Sequence, residues 1–337
     1  MLLSEFDYNL PPEMIAQEPL PERDKSKLLV LHRDSGEIEH RHFHDLPEYL
    51  RPDDLLVMNN TQVTALRLRG KKPTGALVEA LLLSDLGGNR WDVVVKPGRR
   101  IAIGSTILFD HDGLTAKVIE RTEGGGRILD FGNDPGVSEA IHRSGEVPLP
   151  PYIHAELKDA GRYQTVYAKE PGSAAAPTAG LHFTPKLLDK VREMGVKIAY
   201  VTLNVGIATF RPVRTENLEE HVMHRERISI PTETAEAINS AEGRIIAVGT
   251  TTARALEGAA TGKRRIDAFQ GDTDIFITPG YEFKILDGLI TNFHIPKSTL
   301  IVLVSAFAGR DRIMRAYEAA KEENYRFFSF GDAMFLV

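Results

Sequence analysis

Several loops in the second half of the chain combine small residues, hydroxyl groups and imidazoles, which are the side-chain types that bind polar ligands and transfer protons. The first of these loops, residues 174–184, contains Thr178, Gly180 and His182 and leads into a predicted helix. Small residues allow a ligand to approach the backbone closely, and the free N–H groups of a helix N-terminus bind polar or anionic groups. Because an imidazole titrates near neutral pH, His182 is a candidate proton-transfer group. The alternative interpretation is a flexible loop with an incidental histidine.

A second segment places two histidines, His221 and His224, three residues apart and follows them with Glu226. A metal site needs three or four convergent ligands, and the carboxylate that follows the first histidine in the H-E-x-x-H motif is missing here. We therefore predict general acid–base chemistry for His224 and Glu226, and no metal. A metal-assisted hydrolase that uses all three residues is kept as an alternative.

Two strand-to-helix joints carry further polar side chains. Thr250, Thr251 and Arg254 follow a predicted buried strand and open a helix, which is where open α/β sheets bind ligands. Asn292 and His294 precede a later helix, and their spacing would point them the same way on an extended segment. The alternatives are a salt bridge on the helix surface for Arg254 and a turn-capping role for Asn292.

Strands alternate with helices around these loops, and this alternation predicts a mostly parallel sheet covered on both faces. The predicted strands are residues 27–32, 54–58, 196–203, 245–248 and 273–278, and the predicted helices begin near residues 185, 233, 253, 299 and 311. His40, His42 and His44 alternate along a further predicted strand and are expected to face solvent.

A different pattern fills residues 61–147, where short alternating segments are separated by turns rich in Gly, Pro, Asn and Asp. Such spacing is typical of a small antiparallel barrel or sandwich. The simplest topology is a discontinuous, Rossmann-like α/β/α domain of residues 1–59 and 150–337, with a β-barrel domain of residues 60–149 inserted into it.

Composition excludes several classes of protein. The 337 residues include no cysteine, which rules out disulfides, thiolate zinc sites and a cysteine nucleophile and is typical of a reducing, cytoplasmic location. Because residues 1–7 lack a basic region and a long apolar stretch, we expect no secretory signal, and no apolar run in the sequence reaches the length of a membrane span. The net charge of −6 argues mildly against a nucleic-acid partner. Basic runs in the barrel region, however, are either solvated turns or a face that contacts phosphates.

Taken together, the segments of this chain resemble the S-adenosylmethionine:tRNA ribosyltransferase-isomerases of the queuosine pathway from end to end. The order and spacing of the matching stretches make the resemblance specific. These stretches are residues 6–8, 15–17, 23–24, 95–99, 145–153, 163–167, 177–184, 249–257, 273–287, 291–300 and 325–334.

The resemblance implies a reaction. The ribosyl part of S-adenosylmethionine moves to 7-aminomethyl-7-deazaguanine at the wobble position of tRNA and rearranges to epoxyqueuosine, with release of adenine and methionine. It implies S-adenosylmethionine as a co-substrate, no prosthetic group, a tRNA partner and a discontinuous α/β domain with an inserted β-barrel. We expect a cytoplasmic monomer without membrane contact.

This chemistry needs a base, a hydrogen-bond donor for adenine and no metal. His182 is the first candidate base, with His224 and His294 as further candidates and Glu226 as an orienting carboxylate. Arg254 is predicted to pair with the methionine carboxylate and Asn292 to read a base edge. The predicted contacts of S-adenosylmethionine are Thr178, Gly180, Thr250, Thr251 and Arg254.

Recognition of a wobble base in a single-stranded loop commonly uses aromatic stacking, for which Phe183, Tyr163 and Phe210 are candidates. Contacts with the tRNA phosphates are assigned to the basic residues of the barrel region. These residues are Arg67, Arg69, Lys71, Lys96, Arg99 and Arg100.

The chain departs from the family pattern at a few positions. The family usually has His where this chain has Asn204, Gly where it has Ala208, and Asp-Thr-Arg where it has Asn60, Thr61 and Gln62. An amide cannot act as an acid or base, so Asn204 is assigned at most a hydrogen-bonding role. A catalytically weakened, tRNA-binding member of the family is the corresponding alternative.

Overall fold

The computed structural model describes residues 1–122, 125–206 and 215–337, and these residues form two compact units. The first unit comprises Met1–Gln62, Pro150–Glu170 and Ala176–Val337; the second comprises Val63–Leu149 and Pro171–Ala175. The predicted class, α/β with a small antiparallel barrel, is confirmed. None of the helices in the described ranges has both the length and the apolarity that crossing a bilayer requires.

Nine described strands of the first unit form one large sheet. Their bounds are β1 Lys27–Leu31, β2 Ile38–His42, β3 Leu55–Asn59, β12 Lys197–Leu203, β13 Glu226–Ile230, β14 Ile245–Val248, β17 Phe269–Thr273, β18 Gly288–Asn292 and β19 Ala333–Leu336. They follow one another across the sheet in the order β17-β13-β12-β3-β14-β18-β19-β1-β2. Two small two-stranded sheets contain β4 Thr61–Val63 with β11 Glu170–Ser173, and β15 Ala260–Gly262 with β16 Arg265–Ile266.

The large sheet is mixed, so the expectation of a mostly parallel sheet was wrong. Strands β12, β3, β14 and β18 are parallel neighbours, as are β1 and β19, whereas the remaining neighbours are antiparallel. For the β1–β2 pair, the physical reason is the short connection between the two strands. A parallel neighbour needs a crossover through a helix, and β1 runs into β2 through a short turn that permits only an antiparallel pair.

The central strands are buried on both faces, which confirms that the sheet is covered on both sides. All residues of β3, β14, β18 and β19 are buried. Five helices described in this unit are α2 Pro185–Glu193, α3 Thr232–Asn239, α4 Thr250–Ala259, α5 Thr299–Ala308 and α6 Arg310–Glu322. One face of the sheet packs against α2 and the 3-10 helix Phe43–Tyr49.

The helix starts follow from local sequence. The Thr184 side chain accepts a hydrogen bond from the Leu187 N–H at the start of α2, and Pro185 is its first residue, as the sequence predicts. Helix α4 begins at Thr250, three residues earlier than predicted, because Gly249 turns the chain directly after β14 with φ of 92°.

Two strand predictions need correction. Residues 274–278 are not a strand; β17 ends at Thr273, whose hydroxyl accepts a hydrogen bond from the Ile275 N–H and diverts the backbone from the ladder. His44 is not on a strand with His40 and His42, because β2 ends at His42 and a 3-10 helix follows. All three imidazoles are exposed, as predicted.

The second unit is built around a closed six-stranded antiparallel barrel. Its elements are β5 Leu66–Lys71, β6 Leu77–Gly87, β7 Arg90–Lys96, β8 Thr106–Phe109, β9 Thr115–Arg121, β10 Arg127–Asp130 and helix α1 Val137–Ser144. The strands close in the order β10-β7-β6-β5-β8-β9. Alternate residues of each strand point inward and form the apolar core of the barrel.

Candidate functional site

The polar strand-to-helix joints of the first unit meet at one edge of the large sheet. Because β12, β3, β14 and β18 are parallel neighbours, their carboxyl ends lie side by side. Strand β19 is antiparallel to β18 and parallel to β1, so β19 and β1 begin at this same edge. Ligands of open α/β sheets bind outside the carboxyl ends of the strands. This edge is therefore the candidate site.

Hydrogen bonds join the residues that follow β3 and β12. The Asn59 amide donates to the Thr251 hydroxyl at 3.3 Å, and the Thr61 hydroxyl donates to the Asn204 side-chain oxygen at 2.7 Å. The Asn60 side-chain oxygen accepts from the Thr202 hydroxyl at 2.8 Å. The site therefore links Thr251 to the ends of the neighbouring strands through short polar contacts.

Two family departures, Asn60 and Asn204, thus make well-formed hydrogen bonds at this edge. Gln62 is exposed on β4, and Ala208 lies outside the described residues. An asparagine at position 204 accepts a hydrogen bond from Thr61 but can neither gain nor lose a proton near neutral pH. The hydrogen bond from Thr61 agrees with the hydrogen-bonding role predicted for Asn204 from the sequence.

His182 lies at the end of a 3-10 helix, Thr178–His182, and is 5% exposed. Its Nδ1 lies 2.7 Å from the Ser26 hydroxyl, and no described residue forms a well-aligned hydrogen bond with its Nε2. The ring stacks on Phe43 with centroids 4.9 Å apart. One ring nitrogen is thus held by Ser26, and the Asn292 side chain also lies within hydrogen-bonding reach of the ring.

Burial, together with the positive charges of Arg326 and Arg23, lowers the pKa of His182 to about 3. The Asn292 side chain opposes this shift, although its Oδ1 makes no well-aligned hydrogen bond in the described structure. The Asn292 amide instead donates to the Phe328 carbonyl at 2.9 Å. His182 is therefore neutral at physiological pH, which is the form required of a base.

Gly180 does not leave open space for a ligand, contrary to what its size suggests. A Cβ at this position would lie 2.0 Å from the Tyr167 hydroxyl and 2.9 Å from a Thr165 methyl group. The small residue thus accommodates Tyr167, whose buried hydroxyl has no hydrogen-bond partner among the described residues. Thr178 is half-buried at the start of the same 3-10 helix.

Arg254 and Glu226 form a buried ion pair between α4 and β13. The Arg254 Nη1 donates to a Glu226 carboxylate oxygen, and the two side chains are 7% and 5% exposed. The predicted alternative, a salt bridge, is present, but it is buried between α4 and β13 and not on the helix surface, because α4 packs this side chain against the sheet. The Arg254 Nη2 is also buried and has no hydrogen-bond partner within the described ranges.

The histidine segment does not form a convergent triad. His224 is exposed, His221 packs edge-on against Phe276, and Glu226 is buried against Arg254. Among the described residues, the group with metal-ligand spacing is instead His42, His44 and Asp45 on the surface. The hydrolase alternative therefore lacks its predicted geometry.

His294 is buried within the protein interior. Its Nε2 lies 2.9 Å from the Thr291 hydroxyl, its backbone N–H donates to the Tyr317 hydroxyl, and burial lowers its pKa to about 3. These contacts lock the ring against its own strand end. Because the described partners of His294 all lie within the protein, its contacts are those of a positioning residue and not those of a group that faces substrate.

The aromatic candidates lie in the core rather than on a stacking surface. Phe183 is fully buried and meets Phe43 edge-on, and Tyr163 is fully buried against Phe330. Neither presents a ring face to a base in this arrangement. Phe210 lies outside the described residues.

The basic candidates of the second unit differ in their hydrogen bonds and ion pairs. Arg67 is half-buried and donates to the Leu149 carbonyl, and Arg69 pairs with Glu146 at 3.3 Å. Lys96 lies 3.8 Å from Glu79 across the β6–β7 ladder. Of the six candidates, those that are exposed and have no ion pair in the described structure are Lys71, Arg99 and Arg100.

Sequence reasoning missed a cluster of three arginines at the candidate edge. Arg23, Arg162 and Arg326 line a small cleft that is open to solvent and also contains His182; the volume available to a water-sized group is about 20 Å³. We call this feature the arginine pocket. Arg23 falls within a stretch that carries the family resemblance, but no local pattern connects it with the other two arginines.

Comparison with known proteins agrees with this architecture. A family described as "Queuosine biosynthesis protein" matches residues 3–336. The chain belongs to this family of enzymes.

Relatives match over their full length. The S-adenosylmethionine:tRNA ribosyltransferase-isomerases of Moorella thermoacetica and Halothermothrix orenii are 55% and 53% identical to this chain, with 100% of each chain covered. A crystal structure of the S-adenosylmethionine tRNA ribosyltransferase from Thermotoga maritima is 41% identical and superimposes with a TM-score of 0.58, covering 99% of this chain and 100% of that one.

Proposed function

We propose that this enzyme transfers the ribosyl group of S-adenosylmethionine to 7-aminomethyl-7-deazaguanine at the wobble position of tRNA and isomerises it, forming epoxyqueuosine and releasing adenine and methionine. The observation that carries the proposal is the full-length similarity to enzymes named S-adenosylmethionine:tRNA ribosyltransferase-isomerase, together with the edge of the sheet at which the polar strand-to-helix joints meet. No prosthetic group is part of the proposal.

The reaction needs a base, a donor and a neutral amine. The sulfonium acidifies the adjacent C5′ protons, which an unprotonated base can remove, and adenine leaves well only when it is protonated or hydrogen-bonded. The incoming amine attacks with its lone pair and must therefore be deprotonated. These requirements favour a site that is largely closed to water and contains a neutral imidazole.

His182 meets these requirements best among the candidate histidines. It is buried and neutral, one nitrogen is held by Ser26, and the other has no well-aligned partner in the described structure. A pKa of about 3 is low for a base, and a bound anionic group beside the imidazolium would raise it. Asn292 faces the same ring and is suited to a base edge or to the orientation of the imidazole.

Thr250, Thr251 and Arg254 are proposed to contact S-adenosylmethionine at the start of α4. Besides its bond to Glu226, Arg254 retains an Nη2 without a partner among the described residues, which would suit a carboxylate oxygen. Glu226 then fixes the guanidinium rather than transferring a proton. His224 is exposed and lies outside this arrangement.

A turnover assay tests the proposal. Purified protein is incubated with S-adenosylmethionine and tRNA carrying 7-aminomethyl-7-deazaguanine, and adenine release and the modified nucleoside are followed by liquid chromatography with mass spectrometry. Equimolar adenine, methionine and epoxyqueuosine are expected. Tight tRNA binding without adenine release would instead identify a weakened member of the family, and Asn204→His would then be the first variant to assay.

A further inference from the structure

The arginine pocket gathers three positive charges in one cleft of the first unit. Arg23 precedes β1, Arg162 lies on the 3-10 helix Ala160–Tyr163, and Arg326 precedes β19. All three line the cleft, together with Ser26, His182 and Ser329, and none of the described lining residues is acidic.

Neutral backbone carbonyls hold each guanidinium in place. Arg23 donates to the Leu181 and Gly161 carbonyls, both at 3.1 Å. Arg162 donates to the Leu20 carbonyl at 2.6 Å, and Arg326 donates to the Glu18 and Phe330 carbonyls at 3.1 and 2.8 Å. Carbonyl acceptors fix the geometry of a guanidinium but do not cancel its charge.

Carboxylates compensate this charge only in part. Asp332 lies 3.9 Å from the Arg326 Nε but is 3% exposed and is also bound by the backbone N–H groups of Lys27 and Arg326. Asp159 acts on Arg23 from a greater distance and caps the Gly161 N–H. Burial and the proximity of Arg162 lower the pKa of Arg23, as expected of like charges that share a partly desolvated cleft.

His182 supplies a buried polar group in the same cleft. Its side chain is 5% exposed, and its Nε2 has no well-aligned hydrogen-bond partner in the described part of the chain. A partly desolvated cluster of cations beside a buried, neutral imidazole is unfavourable unless an anion completes it.

We infer that the arginine pocket binds an anionic, oxygen-bearing group, a carboxylate or a phosphate, of an enzyme substrate. Guanidinium groups match the planar or tetrahedral oxygens of such anions through paired charge-assisted hydrogen bonds. The identity of the substrate rests on the proposed function, under which the anion is a tRNA phosphate or, if Arg254 does not bind it, the methionine carboxylate of S-adenosylmethionine.

Equilibrium binding separates the two sources without requiring turnover. Affinities of the full-length protein for S-adenosylmethionine are measured by calorimetry, and those for unmodified tRNA by filter binding at several salt concentrations. The variants are Arg162→Gln, Arg23→Gln and the conservative Arg162→Lys. The control is Arg33→Gln, because Arg33 is also a half-buried arginine bonded to a carbonyl, at the opposite end of β1.

Removing one charge-assisted hydrogen bond is expected to raise the dissociation constant about tenfold or more. If the pocket binds a carboxylate, we expect this increase in the dissociation constant for S-adenosylmethionine alone, and we expect Arg162→Lys to recover part of the affinity. A phosphate occupant predicts it for tRNA, together with a salt dependence that is shallower by about one unit for each phosphate that the variant no longer neutralises.

The inference is overturned if Arg162→Gln and Arg23→Gln both bind S-adenosylmethionine and tRNA within threefold of the wild-type affinities. The melting temperatures of these two variants, compared with that of Arg33→Gln, show that the proteins are folded. Should Arg23→Gln unfold, Arg162→Gln decides alone, because Arg162 is only half-buried. The wild-type turnover assay is independent of this result. Absence of adenine release would reject the proposed reaction, whereas the inference about the arginine pocket would still be decided by the binding affinities.

Discussion

The guanidinium of Arg254 on α4 donates a hydrogen bond to the carboxylate of Glu226 on β13, and both side chains are almost completely buried. The pair joins the helix that follows Gly249 to a strand near the end of the sheet. Two charges held in this way restrict the start of α4 to one position relative to the sheet. A buried pair of this kind is costly to break, because either partner alone is left as an unpaired buried charge.

Glu226→Gln is therefore expected to lower the free energy of unfolding by about 3–5 kcal/mol. The double variant Glu226→Leu/Arg254→Met should lose much less than the sum of the losses in the single variants Glu226→Leu and Arg254→Met, since it removes both charges. Urea denaturation followed by circular dichroism measures the wild type, the single variants and the double variant. Strict additivity of the two single losses would show that the side chains are not coupled.

His182→Gln is expected to lower the rate of adenine release by about 10²–10⁴-fold, the range typical of a lost general acid or base. Glutamine retains much of the side-chain volume, so folding should survive, and the melting temperature checks this. His44→Ala, which removes an exposed imidazole, serves as the control. Near-normal turnover of a folded His182→Gln protein would remove this residue from the mechanism.

The pH dependence of stability should reflect the two buried imidazoles. Burial lowers the pKa of His182 and of His294 from 6.5 to about 3. Between these pH values the unfolded state binds protons that the folded state excludes. The contribution of the two histidines to the free energy of unfolding is therefore fully present above pH 6.5 and is lost as the pH falls towards 3. Each group contributes a limiting slope of about 1.4 kcal/mol per pH unit.

Urea denaturation at pH 7, 6, 5 and 4 measures this slope. The double variant His182→Gln/His294→Gln should be less sensitive to acid than the wild type, even if it is less stable at pH 7. An unchanged slope would show that other groups, such as buried carboxylates, dominate acid unfolding.

Three of the six basic candidates in the second unit are exposed and lack an ion pair in the described structure, and they should contribute to tRNA affinity. Replacing Lys71, Arg99 and Arg100 with glutamine is expected to weaken tRNA binding and to reduce its salt slope by about one unit for each phosphate that is no longer neutralised. The control is Lys186→Gln/Lys190→Gln on α2, which removes exposed charge from the first unit. Equal affinity and slope in the two proteins would exclude this surface.

Gly180→Ala should destabilise the protein by about 1–3 kcal/mol, because the new methyl group overlaps the Tyr167 hydroxyl. Adding Tyr167→Phe removes the nearest atom and should recover part of the loss, although a Thr165 methyl group remains close. Thermal unfolding of the single and double variants measures this effect. A Gly180→Ala protein as stable as wild type would mean that Tyr167 moves aside at little cost.

Local sequence patterns were sufficient for the elements but not for the sheet. The cap at Thr184, the buried strand at residues 245–248 and the short strands of the barrel were predicted because their signals lie within a few neighbouring residues. The strand expected at residues 273–278 failed because a side-chain hydrogen bond to Thr273 was not visible in the apolar pattern. The parallel character of the sheet was overestimated because strand order depends on distant segments.

The sequence by itself determined the α/β class, the barrel and the loops that carry the family resemblance, since these follow from residue type and spacing. Only the tertiary structure brought Arg23, Arg162 and Arg326 around His182 and placed Tyr167 against Gly180. The physical reason is that strand order and direction decide which loops share an edge, and burial then decides which charges are compensated. Neither property is encoded in any short stretch of the chain.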